Sequence, residues 1–516
     1  MSTASRVISG SAASWAQIGV TMVSQIALVP IYLSHWSVVT YGVWLSTYAL
    51  ISILSIVDFG HQEFLGYEFL RIGKGNNHEL SNYLWSGIFM NILINLAEVV
   101  LIVGLIYTDA LSFLISKSQN ADASLVYDAG IVLLFQSFTW PVFGIAGIFF
   151  RALAPYGHSP RMFWWNFLTA IVNSAAPITA VILGADLLTT GLVTACAITI
   201  FNIPIYIDLF FLARKEQIKF SKPSWKLGSY NFVRSLAIFG KVLLENVRQQ
   251  GVRLFLAPLS GATGLVAFST MRTGANVALQ GLRTITNPLM PELVRFLHQR
   301  DQDRVDASFG IIWIMVVALI APAIVVLQAV VEPLYTIWTR GQVPFDHLLF
   351  AILSLAILVY AIAQPAMAVV IGNNMLKPQV VLPALAAFIV IAGLFMLVPD
   401  NGILGAGIAL LLAEIAAAVG YKTVAERWLN ENDLQWPRKP FSIAVASIWI
   451  AAFAMGAMTQ LPRMKWIILL ASIVLFAWNF WRYWQILPSF ATDRIRKLLM
   501  NLPGIRKMQP VDQLSD

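Results

Sequence analysis

The chain has 516 residues, of which 58% are apolar and only 12% charged, with a formal net charge of +8. Soluble domains carry about 25% charge and about 45–50% apolar residues, so this composition excludes an ordinary soluble enzyme, a disordered regulator and a secreted disulfide scaffold. The single cysteine, Cys196, excludes an intrachain disulfide.

A helix needs about 20 apolar residues to cross the hydrocarbon core, where unpaired backbone groups cannot face lipid. Fourteen such runs are predicted: 9–33, 41–59, 82–107, 125–150, 163–184, 187–213, 236–258, 262–283, 307–330, 348–372, 378–398, 402–420, 441–459 and 464–486. The first is too long for a signal-peptide core and lacks a small-residue cleavage site, so it is expected to stay as the first helix. Only Gly184-Ala185-Asp186 separates the fifth from the sixth. The runs group into an N-terminal lobe (1–213), a basic cytoplasmic linker (214–235), a C-terminal lobe (236–430), two further spans (431–487) and a basic cytoplasmic tail (488–516). In the tail, Ile495, Leu498, Leu499 and Leu502 form a stripe beside Arg494, Arg496 and Lys497, the pattern of a short interfacial helix. The two halves carry a faint echo, with Gly42 and Gly264 at matching places in spans two and eight, as parallel repeats would have.

An even number of spans places both termini on one side. Twenty-six of the Lys and Arg residues fall on that side and four opposite, which predicts cytoplasmic termini. The positive balance is thus mostly topology, and nucleic acid is not an expected partner. No loop is long enough for a soluble domain, no phosphate-cradling G-x-x-x-x-G-K-[ST] motif is present, and the histidines show no metal-ligand spacing. Asp58-Phe59-Gly60 spells a kinase motif but closes an apolar span with no catalytic loop elsewhere.

Four cations remain inside spans: Lys241, Arg248, Arg253 and Arg272. Each costs about 2.5–3.5 kcal/mol at the centre of a lipid-facing helix, so each should face protein or a wet cavity. On an ideal helix Lys241, Glu245 and Arg248 share an arc, with Arg253 farther round. In span eight Ser269, Arg272, Thr273, Asn276, Gln280 and Arg283 share one face. Arg248 and Arg272 sit at similar depth, and two planar guanidiniums suit a phosphate. Against this, Glu245 neutralises a neighbour in a purely structural cluster, and Lys241 and Arg283 reach the interface by snorkelling. Polar faces also mark span one (Gln17, Thr21, Ser24, Gln25) and span two (Trp44, Tyr48, Asp58), readable as helix–helix contacts or as a sugar-facing cavity wall. Glu98 and Glu414 lie deeper in spans three and twelve. With Asp58 and Glu245 they are the candidate carriers of a coupling proton or Na⁺, with structural pairing as the alternative role.

The motifs Tyr41-Gly42-Val43-Trp44, Asp58-Phe59-Gly60, Pro288-Leu289-Met290-Pro291-Glu292 and Leu334-Tyr335-Thr336-Ile337-Trp338, with fourteen spans, resemble the multidrug/oligosaccharidyl-lipid/polysaccharide exporter superfamily. The likeness is strongest to its O-antigen and exopolysaccharide (Wzx-type) flippases and covers nearly the whole chain. The resemblance implies an all-α membrane protein of two six-helix lobes around a central cavity, plus two C-terminal helices, in a bacterial inner membrane. It implies spans one, two, seven and eight as cavity walls. It also implies a polyprenyl-diphosphate-linked oligosaccharide as substrate, moved outward by alternating access. The diphosphate would meet Arg248 and Arg272, guided by Lys241, Arg253 and Arg283, and the glycan would meet the polar residues of the cavity. No catalytic residue, metal or cofactor is expected. Membrane lipids and the polymerase or export machinery of the same pathway are the expected partners. The alternatives are a drug or cation exporter of the same superfamily and a membrane-embedded polymerase or glycosyltransferase. For the last, no large external loop or catalytic acid–base group is evident.

Overall fold

A computed structural model describes residues 3–108, 110–116, 123–247 and 251–487. Among them the long regular elements are all helices: α1 (Thr3–His35), α2 (Val38–Leu54), α3 (Ile56–Ile72), α4 (Asn77–Tyr107), α5 (Ala110–Ser116), α6 (Ala123–Ser137), α7 (Trp140–Leu153), α8 (Ser159–Ile182), α9 (Leu187–Lys215), α10 (Trp225–Asn246), α11 (Val252–Gln299), α12 (Gln302–Met315), α13 (Ala321–Trp338), α14 (His347–Gly372), α15 (Leu376–Glu431), α16 (Arg438–Gln460) and α17 (Lys465–Ile486). The predicted basic tail lies outside the described residues.

Helix starts follow the capping chemistry of the sequence. The side chains of Ser37, Asn76, Asp186, Ser224 and Asp301 each accept a backbone N–H in the first turn of the helix that follows. Asp186 therefore separates α8 from α9 where the sequence placed its narrowest gap.

Among the described residues, twelve helical stretches are long and apolar enough to cross a membrane. Fourteen spans are consistent with this, because α11 and α15 each break at a glycine that holds a left-handed φ, Gly261 (75°) and Gly402 (55°). In α15 the two arms fold back on each other. A Cβ at Gly393 would lie 2.6 Å from that of Ala409, and Gly420 packs on Leu382. The first arm of α11, residues 252–260, completes the predicted seventh span begun in α10.

Helices run on beyond the predicted span ends. Asp58-Phe59-Gly60 does not end a helix: α2 and α3 run on to Ile72 with only a turn at Ser55. The charged stretch 283–306 is likewise mostly helix, since α11 continues to Gln299. Polar residues end a membrane crossing without ending a helix, and Glu, Gln, Arg and Leu propagate one well. Within the predicted linker 214–235 only the middle is extended. Trp225 starts α10 after the Ser224 cap, and the extended part is strapped down. Trp85 Nε1 donates to the Lys219 carbonyl (3.1 Å), Ser224 N–H donates to Ser86 Oγ (2.9 Å), and Glu216 contacts His158 Nε2 at 2.8 Å.

The chain forms two compact units. The first comprises Met1–Gly274, Pro333–Leu349 and Pro383–Ala413. Here α1 lies along α8, and α3 packs on α4, α7 and α10, around a core of Leu65, Phe69, Leu80, Leu84 and Ile148. The second comprises Ala275–Glu332, Phe350–Leu382 and Glu414–Asp516. Its core joins Val316, Ile324, Leu358, Met455 and Phe476. It is pinned where Trp313 Nε1 donates to the Ile362 carbonyl and the Tyr483 hydroxyl to that of Gly310, each at 2.9 Å.

Candidate functional site

The predicted cationic group lies along α10 and α11. Arg272 is 8% exposed, the only arginine among the buried polar residues described. Arg253 is half-buried near the start of α11, within electrostatic reach of Tyr41. Both guanidiniums, like Glu245 and Glu414, already have a polar, ring or electrostatic contact within the protein. Lys241 lies on α10 and Arg283 and Gln280 on α11, with side chains outside those described; Arg248 lies outside the described residues altogether. Val247 and Gly251 are π-helical. A wide turn of this kind shifts helical phase, so the ideal-helix arc from Lys241 to Arg253 does not carry through. Beside Arg272, Thr270 Oγ1 and the Tyr335 hydroxyl share a 2.7 Å hydrogen bond, and Thr273 Oγ1 donates to the Ser269 carbonyl (2.8 Å). Asn276 is half-buried one turn on.

The polar face of span one is partly spent on its own helix. Thr21 Oγ1 donates to the Gln17 carbonyl (2.9 Å) and Ser24 Oγ to that of Val20 (2.7 Å). Gln17 is half-buried and Gln25 exposed. Trp44 is 4% exposed and Tyr48 half-buried. With Tyr32, Trp36 and Tyr41 they form one aromatic cluster, with ring centroids 4.5–5.9 Å apart. At this end of the first unit the backbones close tightly. A methyl on Gly42 would lie 2.8 Å from both the Cα and the carbonyl oxygen of Ala262. Trp338 Nε1 donates to the Ile26 carbonyl (2.6 Å), and Gln342 Nε2 to the Leu33 carbonyl (2.5 Å).

A second polar region in the first unit holds two of the predicted ion carriers, Asp58 and Glu98, with neighbours that the sequence did not single out. Asp58 is 5% exposed; it accepts from Gln62 Nε2 (3.0 Å) and from Asn91 Nδ2. Asn95 Nδ2 donates to the Asn91 carbonyl (2.7 Å). Asn91, Asn95 and Glu98 repeat at i, i+4 and i+7 along α4 and so share a face. Glu98 is 6% exposed, and neither of its carboxylate oxygens has a hydrogen-bond partner among the described residues. A charged carboxylate left so would cost several kcal/mol. From Asp58 the network runs through Gln62 to Arg151. Nη1 of Arg151 donates to Gln62 Oε1 (2.9 Å) and to the Gly147 carbonyl (3.2 Å), and Nη2 meets Glu63 Oε1 at 2.7 Å. Gln62 and Arg151 also line a cavity of about 360 Å³ bounded by α1, α3, α7, α8 and α9. In the sequence, Arg151 counts as a topology signal. The detectable trace of the cavity was the stripe Asn166, Thr169, Asn173 on span five.

No protein-family model matches the sequence, and no curated protein matches it. Solved structures do. The lipid II flippase MurJ in an inward closed conformation aligns with a TM-score of 0.66 at 12% identity, over 95% of this chain and 100% of that one. An inward-facing multidrug resistance MATE family transporter of the MOP superfamily aligns at 0.61 and 12%, over 81% and 99%. A point mutant of the Vibrio cholerae MATE transporter VcmN aligns at 0.50 and 17%, over 83% and 98%. The chain is thus a multi-pass membrane protein with the fold these MATE and MurJ transporters share.

Proposed function

We propose that the chain is a flippase of a bacterial cytoplasmic membrane, with both termini cytoplasmic. It moves a polyprenyl-diphosphate-linked oligosaccharide to the periplasmic leaflet by alternating access, for surface or exopolysaccharide assembly. One observation carries this reading: Arg272 is buried on a membrane-spanning helix, and Arg253 lies on the arm of α11 just before it. An arginine in that setting is costly unless it serves an anion or a fixed partner, and its planar fork fits a diphosphate. The MurJ-like fold supports a lipid-linked passenger. Arg248, Lys241 and Arg283 would guide the same group, the glycan would meet polar side chains in the membrane interior, and the polyprenyl tail would stay in lipid. A proton or Na⁺ supplies the driving force, with Glu98 and Asp58 as carriers.

The MATE-like fold supports a second reading, a drug exporter. An anionic passenger and a cationic drug make opposite demands on Arg272, so one experiment separates them. Arg272→Ala should abolish glycan export at unchanged protein level, and Arg272→Lys should keep part of it. Full complementation by Arg272→Ala, together with drug resistance conferred by the wild type, would overturn the flippase reading in favour of the exporter.

A further inference from the structure

The cavity walled by Gln17, Gln62, Arg151, Asn166, Thr169, Asn173 and Asn202, with Trp165 and Phe59 beside them, lies wholly within the first unit. Its volume of about 360 Å³ falls in the range of small-ligand pockets, roughly 300–1,000 Å³. The lining is chemically specific. None of the lining residues is an acid, so nothing there calls for a cation. The only formal charge is Arg151, and it is already matched by Glu63 at 2.7 Å. A phosphate would have to displace that partner. What remains is a hydroxyl and five amides, groups that donate and accept together, of which Gln62 is already bonded to Asp58 and Arg151. Asn202 is 1% exposed, its Nδ2 is spent on the Ile198 carbonyl, and its Oδ1 has no partner among the described residues.

The aromatic wall is fixed. Trp165 Nε1 donates to Asp208 Oδ2 (2.8 Å), and Asp208 is held in turn by the bidentate fork of Arg161 at 2.7 and 2.5 Å. An indole whose N–H is tied down presents a ring at a set angle, an apolar plate beside a row of amides. Sugar rings match this combination: hydroxyls around the rim that both donate and accept, and C–H faces that lie flat on an aromatic ring.

We propose that this cavity is a binding subsite for an uncharged sugar residue of the transported lipid-linked glycan, distinct from the cations on α10 and α11 that would take the diphosphate. The inference rests on the flippase reading above and names what the first unit contributes to it. Asn166, Thr169 and Asn173 of α8, Gln62 of α3, Arg151 of α7 and Asn202 of α9 line the subsite.

The test uses the full chain in lipid nanodiscs and two probes: the lipid-linked glycan extracted from the host's own membranes, and polyprenyl diphosphate without sugar. In the variant Asn166→Ala/Asn173→Ala, affinity for the glycan-bearing lipid should fall about tenfold, the loss of two modest hydrogen bonds, with polyprenyl diphosphate unaffected. Asn166→Gln/Asn173→Gln should recover part of the loss, and Thr169→Trp, which fills the space, should reproduce it. Both positions mutated to alanine are exposed, and a monodisperse elution profile checks folding. Equal losses for the two lipids, or no loss for either, would overturn the subsite. Failure of the wild type to bind either lipid would overturn the flippase reading itself.

Discussion

Gly42 of span two packs directly on the backbone of Ala262 at the start of span eight, and a single methyl there probes the arrangement. In Gly42→Ala the new Cβ would sit 2.8 Å from two backbone atoms of Ala262. No rotamer change relieves a clash with backbone, so the helices must separate by several tenths of an ångström. Overpacking of this kind costs about 1–3 kcal/mol. If the sealed arrangement carries that cost and the opened one does not, the equilibrium moves toward opening by about 5–150-fold. The bonds from Trp338 and Gln342 to helix α1 close the same end, so they should loosen together. A cysteine at Ser46, fully buried one turn deeper, reports the change in a Cys196→Ser background. Labelling by a membrane-impermeant maleimide from the side that the proposed topology makes periplasmic should accelerate within that range. An unchanged labelling rate, with export and stability also unchanged, would mean that the contact at Gly42 plays no part in closing this end.

Glu98→Gln keeps the shape of the buried side chain and removes its charge; export in proteoliposomes should persist at a reduced rate and stop responding to an imposed proton or Na⁺ gradient, whereas a retained response would place coupling elsewhere. Gln62→Met cuts the link between Asp58 and Arg151, leaving a buried carboxyl and a half-buried guanidinium each short of a partner, and should lower thermal stability measurably while flattening the same gradient response. Asp186→Ala removes the cap of α9, in which Thr189 N–H donates to Asp186 Oδ1 at 2.7 Å, and should cost about 1 kcal/mol. Because the Thr189 hydroxyl and amide hold the Asp186 carboxyl below its ordinary range, that contribution is present above about pH 4 and fades as pH falls through the lowered value. Unfolding curves of wild type and variant should therefore converge in acid; a constant gap across pH would count against the cap.

The span map was legible because lipid imposes one constraint on every crossing, about 20 apolar residues in a row. Even the two sharp reversals were visible: predicted spans stop at 258 and 398 and resume at 262 and 402, around Gly261 and Gly402. Helix length beyond the membrane was not, because apolarity reports where lipid ends and Glu68, Arg71 or Arg295 extend a helix in water as readily as Leu. The residues of the sugar-facing hypothesis fared according to packing. Span periodicity puts Trp44 on a polar face, but only tertiary neighbours show that its ring packs, tilted or edge-on, among Tyr32, Trp36 and Tyr48. Arg151 was invisible as a site residue for a related reason. Its meaning depends on Gln62 and Glu63, nearly ninety residues away, and a charge near a span end reads as topology.

The distribution of charge within the membrane bears on energetics. In the first unit Glu63 and Glu68, on the part of α3 beyond span two, are answered by Arg151 and by Arg71 and Arg234, and Asp208 of span six by Arg161. Asp58 receives only amide hydrogen bonds and Glu98 none. Between residues 236 and 283 the imbalance is opposite, with Lys241, Arg248, Arg253, Arg272 and Arg283 against the single acid Glu245. A surplus of acid in spans two and three asks for a mobile cation, and a surplus of base in spans seven and eight asks for an anion. On the proposed function these demands reinforce each other. An anionic diphosphate moving outward and a proton or Na⁺ moving inward both run down an inside-negative potential, at about 2.3 kcal/mol per charge per 100 mV. Exchange of the two would therefore be driven from both ends by the same field, without ATP.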